Sequence, residues 1–140
     1  MTSFSRRLVA ETTLSVDDLI WPMFVIEGSD SAESVDSMPG VERHTIDRLV
    51  AQAGIAVELR IPVIAIFPAI DAALKDEDGS LARDGDNLVC RAVRAVKAAH
   101  PDLGIVCDVA LDPFTSHGHD GVLRNGCLLY TSPSPRDTIR

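Results

Sequence analysis

The sequence predicts an α/β protein built on a parallel sheet. Apolar runs and amphipathic stretches alternate as strand, helix, strand, helix, strand along residues 19–107. The strand runs are apolar without a period of two, the mark of strands covered on both faces. Their starts recur about every 40 residues, which suits a doubly wound sheet or part of a (β/α)8 barrel, and periodicity alone does not choose between them.

Residues 1–18 read as a polar arm, closed by Ser15-Val16-Asp17-Asp18 in the S-x-x-D form of a helix-starting cap. Leu19–Ile26 is a short apolar run with β-branched and aromatic members, too short for a core helix, and predicts the first strand. Pro22 restricts that strand: it fits only near a strand start or at an edge. Residues 29–44 read as loop, with Met38-Pro39-Gly40 as a turn. Thr45 caps a helix over about 46–59, where Ile46, Leu49, Val50, Ala53 and Val57 recur at helical spacing and Gly54 weakens the middle. Pro62 introduces the second strand, Val63–Phe67, and the polar, acidic stretch 71–86 follows. Asn87 caps a second helix to Ala99, which His100-Pro101 stops. The third strand, Leu103–Cys107, ends at Asp108.

Of 140 residues, 46% are hydrophobic and 24% charged, a composition that excludes disorder, collagen and coiled coil. A net charge of −8, from 13 basic and 21 acidic residues, argues against nucleic acid as a partner. No apolar stretch is long enough to span a membrane, and Glu11 interrupts any secretory leader. Cys90, Cys107 and Cys127 are odd in number and widely spaced, so they read as free thiols in the reducing cytoplasm.

Chemistry concentrates in DVALDPFTSHGHDG, Asp108–Gly121, which begins where the third parallel strand ends. Parallel α/β folds build their ligand sites at that end. Three carboxylates (Asp108, Asp112, Asp120) and two imidazoles (His117, His119) suit a divalent metal or acid–base work. They suit equally a polar loop whose histidines bond backbone or face water. Asp108 is either a site residue or a cap for the following turn. The stretch Asp71–Ser80 lacks the ligand order of a calcium loop and reads as a solvated acidic loop. His44 and His100 flank helix ends and need no function. Lys75, in the acidic loop, and Lys97, on a polar helix face, are the only lysines, and neither sits where a Schiff base would be desolvated.

The same loop resembles the metal-loop region of the delta-aminolevulinic acid dehydratase (porphobilinogen synthase) family. The resemblance extends through RRLVAETTLSVDDLIWPMFVIEG (Arg6–Gly28), SMPGVERHTID (Ser37–Asp47), IPVIAIFP (Ile61–Pro68), KDEDGS (Lys75–Ser80) and DNLVCRAVRAVK (Asp86–Lys97). It implies an N-terminal arm (1–18) and about three strands of a (β/α)8 barrel (19–125), incomplete against the roughly 250 residues of a whole one. The activity implied is condensation of two 5-aminolevulinate molecules to porphobilinogen with loss of two waters, in tetrapyrrole and haem biosynthesis. Asp108 matches an active-site carboxylate of the family. Ala110, Asp112 and Asp120 stand where zinc-using members carry cysteines, so the resemblance points to the aspartate-type branch and to Mg²⁺ rather than zinc, with Asp112 and Asp120 as metal residues. It also implies a homo-oligomer, an octamer in many members, assembled through the arm.

No segment matches the motifs of the family's two Schiff-base lysines. The expectation is therefore an N-terminal fragment, inactive alone. Residues 126–140 carry the only Tyr, two Ser-Pro steps and no structural period, and CLLYTSPSPRD (Cys127–Asp137) reads as a translated sequencing adaptor, which would end the natural sequence near Asn125. Two alternatives stand beside this reading: a metal-dependent hydrolase using His117 and His119, and a truncated piece with no function.

Overall fold

The computed structural model describes residues 2–129. A short helix, α1 (Ser3–Leu8), and a 3-10 turn at Val16–Asp18 form the arm. The cap expected at Ser15 is present: its backbone N–H and its hydroxyl both donate to the Asp18 carboxylate, at 2.7 and 3.0 Å. The arm is less polar in effect than its composition, because Phe4, Leu8 and Leu14 lie open to solvent.

The strands β1 (Ile20–Ile26), β2 (Ala32–Ser34), β3 (Glu42–Thr45), β4 (Val63–Pro68) and β5 (Gly104–Cys107) form one sheet in the order β2-β3-β1-β4-β5. All neighbours are parallel except the β2–β3 pair. The hairpin of β2 and β3 was not expected within 29–44. Its residues are polar and too few to show a period, and backbone contacts hold it instead: Val35 N–H donates to the Val41 carbonyl at 2.9 Å across the Met38–Gly40 turn. Pro22 lies in the third position of β1, next to a central strand. Its register explains this: β4 pairs with β1 from Ile20, but β3 only from Phe24, so the lower half of β1 is an edge.

Helices α2 (Ile46–Glu58) and α3 (Leu88–Ala99) cover one face of the sheet. Leu49, Ala53 and Ala56 of α2 and Leu88, Ala92 and Val96 of α3 meet Met23, Val25, Ile64 and Ile66 in a buried core. Asn87 caps α3 as expected, its Oδ1 accepting the Cys90 N–H at 3.0 Å. Thr45 occupies the cap position of α2 but makes no cap bond; its hydroxyl donates instead to the Ser31 carbonyl at 3.1 Å. Gly54 faces the His100 ring, 3.4 Å from where a Cβ would stand, which is ordinary contact distance. That ring bonds the Val50 carbonyl at 3.1 Å and ties the end of α3 to α2.

The expectation of strands covered on both faces holds on one face only. No described helix packs on the other, which carries Ile20, Phe24, Ala65, Phe67 and Val106 by strand alternation. In a closed barrel that face is filled by the facing strands. Of the tail expected to lack regular structure, Cys127–Leu129 (β7) pairs antiparallel with Val122–Arg124 (β6); the rest of that expectation falls on 130–140, outside the described residues.

Candidate active site

Strand β5 delivers the chain to the loop at 108–121. Gly104 is required at its start: a Cβ there would meet Val63 Cγ2 at 2.9 Å and the Pro62 carbonyl at 3.0 Å, so only glycine lets β5 approach β4 this closely. Continuing the alternation of Gly104 and Val106 by one step puts Asp108 on the open face, beyond the end of the strand. Asp108 is exposed and also borders a cleft of about 510 Å³ on the helix-covered side of β5, lined by Asn87, Cys90, Cys107, Leu111 and Phe114. Cys90 and Cys107 are half-buried there, and burial pushes the Cys107 thiol up, with the Cys90 thiol adding to the shift.

The loop is organised by its own carboxylate. Asp120 Oδ1 accepts the backbone N–H of Leu111 at 2.8 Å and of Asp112 at 3.2 Å, which brings Asp112 and Asp120 together. Burial raises the Asp112 carboxyl above its ordinary range, and the charges of Asp120 and Asp108 raise it further. The sequence placed these three aspartates together, and the structure does too. The two imidazoles behave differently. His117 and His119 stack with ring centroids 6.0 Å apart, and His117 Nε2–H donates to the Glu77 carbonyl at 3.2 Å.

The donor set suits a hard cation in chemistry, because two carboxylates with mutual repulsion face each other. It is a partial set. One oxygen of Asp120 is engaged by two N–H groups, and among the described residues no group of three His, Cys, Asp or Glu side chains is arranged to hold a metal ion.

Neither lysine belongs to this site. Lys97 Nζ donates to the carbonyls of Pro101 and Leu103, at 2.7 and 2.8 Å, closing the turn after α3. Lys75 lies in the acidic loop and is not among the residues that line the cleft. Sequence reasoning missed the part played by Asn87 and the two thiols in the cleft wall. It also missed that the acidic stretch at 71–80 lies against 111–118, a contact made through Asp76 backbone groups and the left-handed Gly79, with φ +59°.

A family model of delta-aminolevulinic acid dehydratase matches residues 1–134. The chain belongs to the delta-aminolevulinic acid dehydratase family. It is 54% identical over 126 residues to the dehydratase of Bradyrhizobium diazoefficiens and 40% identical over 128 residues to that of Chlamydia pneumoniae. These matches cover 90% and 91% of the chain, but 36% and 39% of the relatives. The chain thus spans well under half the length of the curated relatives it matches. Among solved structures, the dehydratase of Toxoplasma gondii, crystallised with its reaction product porphobilinogen, superposes with a TM-score of 0.85 at 35% identity, over 91% of this chain and 37% of that one. The parallel sheet is therefore the N-terminal part of the barrel of this family, which settles the choice that periodicity left open. No described helix is long and apolar enough to cross a membrane.

Proposed function

We propose that this chain is the N-terminal portion of a porphobilinogen synthase, a lyase that condenses two 5-aminolevulinate molecules with loss of two waters in haem biosynthesis. The observation that carries the reading is the placement of Asp108: it follows β5, the fourth strand of the parallel set, at the C-terminal end of the sheet, within a chain of this family. A carboxylate there holds the ammonium group of 5-aminolevulinate by charge and moves protons at the condensing carbons. Asn87 lines the cleft that Asp108 borders, but its carboxamide oxygen is committed to the Cys90 N–H. The Schiff-base lysines implied by the family come from outside these 140 residues, since both lysines of the chain are placed elsewhere.

Asp112 and Asp120 would hold Mg²⁺ rather than zinc, because Ala110 offers no ligand and the two carboxylates are hard donors. The ion, when bound, supplies positive charge that offsets the surplus of carboxylates. The arm, with Phe4, Leu8 and Leu14 exposed, supports assembly into a homo-oligomer such as an octamer, in the cytoplasm. The hydrolase alternative loses support, because the family match runs through residues 1–134 and takes in both histidines.

The test is a chimera joining residues 1–125 of this chain to the remainder of the Bradyrhizobium dehydratase. The chimera forms porphobilinogen from 5-aminolevulinate, and the 140-residue chain alone does not. A folded chimera without product overturns the reading, and turnover by the isolated chain overturns the assignment of the lysines.

A further inference from the structure

The loop that carries Asp112 and Asp120 is braced from outside by the acidic segment before α3. Asp76 N–H donates to the Phe114 carbonyl at 3.4 Å, and Ser116 N–H donates to the Asp76 carbonyl at 2.9 Å. Asp76 and Thr115 thereby form one rung of a parallel ladder between two loops. The Asp76 carboxylate shapes its own side of the contact. It accepts the N–H of Asp78 at 3.1 Å and of Ser80 at 2.9 Å, and the Ser80 hydroxyl as well. This turn presents Gly79 to Thr115 so closely that a Cβ would stand 3.3 Å from Thr115 Cγ2 and 3.4 Å from Leu111 Cδ2.

Thr115 passes the contact on. It is 1% exposed, and its hydroxyl donates to the His119 carbonyl at 3.0 Å. The next residue is Asp120, whose carboxylate holds the N–H groups of Leu111 and Asp112. An unbroken series of bonds and contacts therefore runs from Asp76 to the aspartate pair. Gly118 and Gly121 lie within the same loop, so its backbone has little intrinsic stiffness.

We propose that the 76–80 turn and Thr115 form a latch that fixes where Asp112 and Asp120 stand, making Asp76 and Thr115 positioning residues of the carboxylate loop. The effect on turnover rests on the synthase reading above; the latch itself does not. Thr115→Val keeps a methyl group against Gly79 and removes the hydroxyl donor, whereas Thr115→Ser keeps the donor. Asp76→Ala removes the acceptor that shapes the turn, at an exposed position.

Amide hydrogen exchange in the chain reads the latch directly. Thr115→Val speeds exchange at Leu111 and Asp112 by about tenfold, Asp76→Ala does the same at Ser116, and Thr115→Ser stays within about threefold of the parent. In the chimera, Thr115→Val lowers kcat about tenfold with KM little changed, and Thr115→Ser restores it. Unchanged exchange in both Thr115→Val and Asp76→Ala overturns the latch. Faster exchange with unchanged kcat in an active chimera overturns the positioning role. If the unsubstituted chimera is inactive, the synthase reading fails, and the exchange measurement still decides the latch.

Discussion

The two faces of the sheet obey different rules. Where α2 and α3 cover it, Val25, Ile64, Leu49 and Val96 lose all contact with water and interlock with small residues, Ala53, Ala56 and Ala92. On the other face, Phe24 and Phe67 meet at 6.0 Å between ring centroids, but Val106 is 47% exposed and Ile20 54%. The covered face supplies stability within the chain. The open face is apolar but only partly buried, Ala65 being covered and Val106 and Ile20 not, and Asp108 follows at the end of β5. Apolar side chains alone do not distinguish the two; only the helices above one of them do.

Substitution separates these roles. The largest expected effect is on the covered face: Leu49→Ala costs about 2–5 kcal/mol, because it leaves a cavity under α2 that neighbours cannot fill. Val106→Ser, on the open face, changes the stability of this chain by about 0.5 kcal/mol or less. Urea unfolding of both variants checks the contrast, and equal losses would show that the open face is buried after all. Gly104→Ala comes next. It forces Val63 and the Pro62 carbonyl apart at the β4–β5 pair, costing about 1–3 kcal/mol in the same assay.

The smallest effect is electrostatic. Asp112 has a folded-state pKa above its unfolded value, so the native state binds the extra proton and stability rises as pH falls from neutrality through that raised pKa. Asp76 and Asp18 work the other way. Ser80 holds the Asp76 carboxyl below its usual range, and the backbone and hydroxyl of Ser15 do so for Asp18, so their contribution is present above the ordinary carboxylate range and is lost on further acidification. A carboxyl NMR titration in the presence of chelator checks the first sign: Asp120→Asn moves the Asp112 titration down. An unmoved titration would mean the two side chains do not interact.

The covered face was legible in the sequence because burial leaves a pattern. The runs at 19–26 and 63–67, the spacing from Leu49 to Ala53 and the Asn87 cap each state a local requirement. The hairpin of β2 and β3 left no such trace, being polar and held by backbone bonds. Nor could the run at 103–107 say which face of its strand is covered, since a barrel interior and a helix-packed surface select the same side chains. At the site, clustering of aspartates in the chain became clustering in space, because Asp120 reaches back nine residues to the Leu111 N–H. The contact of 71–80 with 111–118 runs through Asp76 backbone groups and the absent side chain of Gly79, which no pattern of residue types records.

Asp108 decides whether the open face is a catalytic surface. In the chimera with the Bradyrhizobium remainder, Asp108→Asn preserves shape and removes the charge and the proton site. Porphobilinogen formation falls by about 100-fold or more while the circular dichroism spectrum is unchanged. Turnover equal to that of the unsubstituted chimera would contradict the assignment of Asp108 and, with it, the catalytic role of the open face.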